Sequence, residues 1–167
     1  MSKVDPNKSH YVSVTGIIIR DGKFLITKRS NKEKAFPGLW TVPGGKLELN
    51  DYSNRNADTS AGQWYNIVED LLKREVKEET NLEIKNIKYL TSLSFIRPDN
   101  IPVFTISMYA EHLNGEVRLN KETTDYKWIT LEEAKNYDLI PGIYEELVML
   151  SRILKGEQIE RWDKNLV

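Results

Sequence analysis

The sequence contains no cysteine and only two histidines, His10 and His112. Disulfides, thiolate nucleophiles and cysteine-ligated zinc or iron–sulfur centres are therefore excluded, and so is a histidine-rich metal site. The missing disulfides fit a cytoplasmic, reducing compartment. No apolar run approaches the ~18–20 residues of a membrane span. The opening MSKVDPNKSH has no apolar stretch that would serve as a secretory signal, so no membrane partner is expected. An excess of one charge is missing too: 24 Lys+Arg stand against 25 Asp+Glu, a net charge of -1. Proteins that track a nucleic-acid backbone usually carry a basic excess, so no nucleic-acid partner is expected either. Internal repeats and low-complexity segments are absent.

What is present suits one folded domain. A chain of 167 residues buries roughly 70% of its unfolded surface, enough for a core without covalent staples. With 40% hydrophobic and 29% charged residues, wholesale disorder is excluded. Residues 1–9 read as a polar tail, 10–155 as the domain and 156–167 as a C-terminal tail. The β-rich run from Val12 to Ile19, the Asp21-Gly22 turn and the run from Phe24 to Thr27 predict a hairpin within 10–29. Pro37, Gly38, Pro43, Gly44 and Gly45 break up residues 30–50, and the polar stretch 51–63 reads as a surface loop, with 52–63 expected to be a mobile excursion. Apolar residues spaced by three and four predict a helix from about Trp64 to Thr80, with Trp64 as a staple at its start. Strands are expected over 83–95, 103–109 and 127–129, with a turn at Arg97-Pro98-Asp99-Asn100. A capping-box signature from Thr130 to Glu133 predicts a helix start, and 143–154 a last amphipathic helix ending near Gly156. Strands and helices mix, and hairpins are present, so the fold class is α/β or α+β.

The segment Arg74-Glu75-Val76-Lys77-Glu78-Glu79 carries the chemistry. At about 100° per residue, Glu75, Glu78 and Glu79 share the helical sector of Trp64, Val68, Leu71 and Leu72. A merely solvated acidic face would lie opposite the apolar stripe; this one continues it. Like charges at these spacings repel, and acids near a helix C-terminus oppose the macrodipole. A divalent cation removes both objections, and carboxylates without cysteine suit a hard ion such as Mg²⁺ or Mn²⁺. Upstream, Pro43-Gly44-Gly45 allows the backbone to approach a ligand closely. Taken alone, that tripeptide is only a turn.

Together these elements resemble the Nudix hydrolase family. Its box reads Gly-x5-Glu-x7-Arg-Glu-U-x-Glu-Glu-x-Gly-U, with U aliphatic. Gly45 matches the leading glycine, and Arg74 to Leu82 matches the end. The flanks GIIIRDGKFLITKRS and FPGLWTVPGGKLE look like the family's entry hairpin and substrate loop. Asp125 to Ile129 with Leu131 to Ala134 looks like its late strand and helix. Three departures stand out. Asp51 lies where the first box glutamate is expected. Asp51 to Arg74 is 23 positions rather than the family's 8, which leaves an insertion of 15 residues within about 52–65. If the insertion comes earlier, Asn66 takes the glutamate's place instead. Finally, Asn81 replaces the glycine after the helix, a residue that still tolerates the left-handed stop.

The resemblance implies a Nudix-type α/β/α sandwich with a mixed β-sheet and the box helix packed on it. It implies that Glu75, Glu78 and Glu79 carry Mg²⁺ or Mn²⁺ with the Gly45 carbonyl, and that Arg74 buttresses the glutamates. A helix glutamate or a later acid, Glu122 or Asp125, is expected to take the proton of the attacking water. Phe36, Trp40, Phe95 and Tyr109 are aromatic candidates for stacking on a base. Arg29 and Arg97 are candidates for phosphate, though solvated surface is the simpler reading of both. The implied partner is a small-molecule nucleotide, met by a monomer or homodimer. The leading expectation is hydrolysis of a normal or damaged (d)NTP to NMP and pyrophosphate. The alternatives are an ADP-ribose or nucleotide-sugar pyrophosphatase, hinted at by Pro98, and a non-catalytic nucleotide sensor.

Overall fold

The hairpin forms where the Asp-Gly signal places it. In the computed structural model, which describes residues 5–166, strand β1 (Tyr11–Arg20) turns through Asp21 and Gly22, both at positive φ, into β2 (Lys23–Arg29). Positions 1–4 of the expected tail, and Val167, lie outside the described residues. The loop-rich stretch yields two short strands, β3 (Trp40–Thr41) and β4 (Gly44–Lys46), and the insertion opens with a four-residue helix, α1 (Asn50–Ser53). Helix α2 (Ile67–Thr80) follows. Then come the long hairpin β5 (Glu83–Ile96) and β6 (Pro102–Asn114), strand β7 (Thr123–Ile129) and helix α3 (Ile143–Leu154).

All seven strands join one mixed sheet of order β3-β2-β1-β6-β5, with β4 on β1 and β7 on β2. At its centre β1 and β6 run parallel, from Tyr11 opposite Val103 to Ile19 opposite Glu111. Because side chains alternate along a strand, β1 serves two cores. Val14 and Ile18 pack with Leu71, Leu72 and Val76 of α2 on one face. Ile17 packs with Ile143, Leu147 and Leu150 of α3 on the other. The fold is thus the expected α+β sandwich with the acidic helix on one side. No helix among the described residues is long and apolar enough to cross a membrane.

Three local expectations change. Helix α2 starts at Ile67, after Asn66 in a left-handed conformation (φ 59), so Trp64 is not its staple. The capping box forms, with Thr130 N–H donating to Glu133 and Glu133 N–H to the Thr130 hydroxyl, but it opens only a 3₁₀ turn, Glu133–Asn136. The chain beyond is captured by β3: Trp40 N–H donates to the Asp138 carbonyl and Ile140 N–H to the Trp40 carbonyl. Asn81 ends α2 as expected, at φ 65 with its N–H on the Lys77 carbonyl.

Candidate active site

The last turns of α2 lie against β4, and the contact requires glycine. A Cβ on Gly45 would land on the Glu75 carboxyl, and one on Gly44 on the Val14 carbonyl. The bare strand therefore lets acids approach backbone directly. Gly44 N–H donates to Glu79 Oε2 at 3.1 Å. Burial pushes the Glu79 carboxyl up to about 8; nearby Glu75 and Glu122 add to the rise, while the Gly44 bond and Arg29 oppose it. Burial also raises Glu75, against the pull of Arg74. Of the three acids expected on one face, Glu75 and Glu79 turn inward. Glu78 stands at the rim with its side chain 56% exposed, a correction to the shared-sector expectation. It lies at the edge of the sector.

Arg74 gathers the acids. Its Nη2 lies 2.9 Å from Glu75 Oε1 and its Nη1 2.9 Å from Glu78 Oε2. Its Nη2 also donates to Asp51 Oδ2 at 3.3 Å, and its Nε lies 2.7 Å from Asp51 Oδ1, out of line for a hydrogen bond. Asp51, on α1, is fixed from behind by the Glu48 N–H at 2.7 Å. Between the two positions that spacing left open, Asp51 is the one that meets Arg74; Asn66 makes no side-chain cap bond.

The remaining candidates divide. Glu122 lies in the loop before β7, its carbonyl accepting from Ser30 N–H, close enough to raise Glu79. Asp125 pairs with Lys28 in the β2–β7 ladder and accepts from Tyr126 N–H. Phe36 and Phe95 come together, ring centroids 6.1 Å apart, with Phe36 at φ 52 on an exposed loop. Trp40 is not brought to them: it is buried in the α3-side core, edge-on to Tyr137 at 5.0 Å. Tyr109 borders that same core. Neither arginine is solvated surface. Arg29 donates to the Ala35 carbonyl and to Glu33, and Arg97, its side chain 12% exposed, pairs with Asp99 beside the Tyr11 ring. Arg97, Lys34 and Pro98 line a hollow of about 240 Å³ next to the Phe36 loop.

Two features escaped sequence reasoning. On the α3 face, Ser107 Oγ donates to Glu146 at 2.5 Å, and burial raises that carboxyl to about 7. Glu146 sits three residues after Ile143 and four before Leu150, so the helical stripe itself marks it as inward-facing. Along the same face cross-strand partners form polar rows: Ser13 beside Thr105, and Thr15 and Thr91 beside Ser107. The second feature is the order within the insertion. Trp64 packs against Tyr52 with the rings tilted by 55° and centroids 5.3 Å apart, and Arg55 pairs with Asp58 at 2.6 Å.

An all-oxygen donor set suits a hard divalent cation. The raised Glu79 and the glycine cradle at Glu75 fit that need, because an added positive charge would favour both ionised acids. As they stand, no three acidic or histidine side chains among the described residues are grouped for one ion. Arg74 holds Glu75 and Glu78, and Gly44 holds Glu79, so coordination calls for these side chains to turn.

A family model described as NUDIX domain matches residues 10–148, and the chain belongs to the Nudix family of hydrolases, which act on nucleoside diphosphate derivatives. The nucleoside triphosphatase NudI of Escherichia coli K12 is 26% identical over 137 residues, covering 75% of this chain and 86% of that protein. Among solved structures, the E. coli ORF135 protein superimposes with a TM-score of 0.67 at 23% identity, covering 95% of this chain and 100% of that one. The Nudix domain of Shewanella oneidensis NrtR, complexed with ADP ribose, gives 0.67 at 21% identity, covering 92% and 95%.

Proposed function

We propose that this chain is a Mg²⁺-dependent pyrophosphohydrolase that converts a normal or damaged (d)NTP to NMP and pyrophosphate. The observation that carries the reading is the pair of inward acids, Glu75 and Glu79, pressed on Gly44 and Gly45. Glu75, Glu78, Glu79 and the Gly45 carbonyl are the proposed metal ligands. When bound, the cation supplies charge neutralisation for the polyphosphate and acidity for water. Arg74 keeps Glu75 and Glu78 oriented through charge-assisted bonds. Water attacks an internal phosphorus, its proton passing to Glu122 or a helix glutamate, and the anhydride P–O bond breaks to release pyrophosphate. Phe36 and Phe95 form the stacking platform for the base, and Arg29 supports Glu79 and the loop that carries Phe36. This reading places the catalytic unit at residues 10–155 of a cytoplasmic monomer or homodimer, consistent with the absence of cysteine.

Similarity to NudI supports the triphosphate. ADP-ribose is the second reading, favoured by Pro98 in the turn beside Arg97 and Lys34. A nucleotide panel with Mg²⁺ in ¹⁸O-labelled water, with products resolved by chromatography and mass spectrometry, separates the two. The expected products are NMP and pyrophosphate. AMP and ribose 5-phosphate from ADP-ribose alone would favour the second reading. First release of orthophosphate and a nucleoside diphosphate would overturn the mechanism, and binding without any turnover would point to a sensor.

A further inference from the structure

We propose that the insertion is a brace that positions Asp51 against Arg74, with Trp64, Arg55 and Asp58 as positioning residues for the metal-holding acids. This rests on the metal-site reading above. Asp51 sits on α1, a helix of four residues with no side-chain cap bond at its N-terminus, far too short to persist by itself. Twelve residues of polar chain separate α1 from Asn66. Left slack, they would let α1 drift from α2.

The chain instead closes on itself. Trp64 lies on Tyr52, the neighbour of Asp51, and its indole Nε1 donates to the Arg55 carbonyl at 3.1 Å. The Arg55 guanidinium binds Asp58 Oδ1 and the Tyr65 carbonyl, at 2.6 and 3.1 Å. Asp58 Oδ2 accepts from Tyr65 N–H at 2.8 Å, and Asp58 N–H donates to the Gln63 carbonyl at 2.8 Å. Both ends of the excursion are thereby tied together beside Asp51. Each bond is exposed and individually weak. Their joint effect is to remove conformational freedom between α1 and α2, which is where a loop's contribution lies.

The consequence passes through charge. Arg74 faces three carboxylates, from Asp51, Glu75 and Glu78. Asp51 is the one not proposed to bind metal. With the brace closed, Arg74 divides its donors among all three carboxylates; once Asp51 drifts away, the guanidinium rests on Glu75 and Glu78 alone and holds them harder against turning to a cation.

The test is Mn²⁺ affinity, read by electron paramagnetic resonance of the free ion, alongside kcat and KM. Trp64→Ala and Asp58→Asn should each weaken Mn²⁺ binding roughly three- to tenfold, and Asp51→Asn about tenfold or more. Nucleotide KM at saturating metal should stay near wild type, and Trp64→Phe should restore most of the affinity. Combining Trp64→Ala with Asp51→Asn should add little to Asp51→Asn alone, since both act through one contact. Thr59→Ala, at the loop tip, serves as the neutral control. Wild-type Mn²⁺ affinity in both Trp64→Ala and Asp58→Asn would overturn the brace. A wild-type protein that binds Mn²⁺ but hydrolyses no nucleotide would instead overturn the function, leaving the brace to be judged on affinity.

Discussion

Two glutamates, the half-buried Glu79 and the buried Glu146, lie on opposite faces of the same sheet, and both have raised pKa values. Glu79, on the α2 face, sits at about 8 with one backbone donor and with Glu75 and Glu122 nearby. Glu146, on the α3 face, sits at about 7 with Ser107 as its one partner. Burial is the first cause in both cases, so a raised pKa does not separate them. Their company does. Glu79 belongs to a group of acids beside open backbone, an arrangement that gains from a bound cation. The acid facing Glu146 is only Glu145, one residue away on the same helix, and a single proton satisfies it.

The comparison sharpens into measurements. The largest difference should appear in turnover: Glu79→Gln should lower kcat by at least about a hundredfold and abolish the Mg²⁺-induced rise in Tm. Glu146→Gln should leave both largely intact. Equal losses in the two variants, by steady-state kinetics and thermal unfolding, would erase the distinction.

The second effect is on stability. The folded pKa of Glu146 is raised, so its contribution is complete below the ordinary carboxylate range and is lost as pH rises through about 7. Urea unfolding at pH 5 and pH 8 should show wild type losing on the order of 3 kcal/mol relative to Glu146→Gln over that window.

The smallest effect concerns protons. Mg²⁺ binding at pH 7 should expel the Glu79 proton, so metal affinity should fall as pH drops below about 8, by at most roughly tenfold per unit. Calorimetry in buffers of different ionisation enthalpy reads that proton directly. Glu146→Gln should retain its release and Glu79→Gln should lose it.

Where bonding is local, residue pattern and structure coincide. Asp21-Gly22, the Asn81 stop and the 3.6-residue stripe of α2 each depend on neighbours within a few positions. Glu75 and Glu79 read as inward-facing for a related reason, because acids continuing an apolar stripe carry their own contradiction; Glu78, at the edge of that stripe, does not follow them. The parts that did not read through are non-local or non-periodic. Trp40 looks like a loop aromatic until Leu139 and Tyr137 arrive from a hundred positions downstream to bury it. Ser107 and Glu146 explain each other only once paired. The insertion has no period at all; its order lies in side chains such as Asp58 that bond to backbone seven residues on.

The parallel pairing of β1 with β6 has a consequence for how the protein is made. Tyr11 finds its partner Val103 only when about two-thirds of the chain has left the ribosome. Until then the central strand has one edge open, and α2 with its acids can dock only on the β1–β4 and hairpin fragment. Contacts this distant in sequence form slowly, because the loop must close before any pairing compensates. The acid-bearing helix is therefore synthesised well before the sheet that buries its neighbours. Its cluster of like charges, costly in the finished protein, keeps that waiting surface hydrated and discourages it from pairing with another chain.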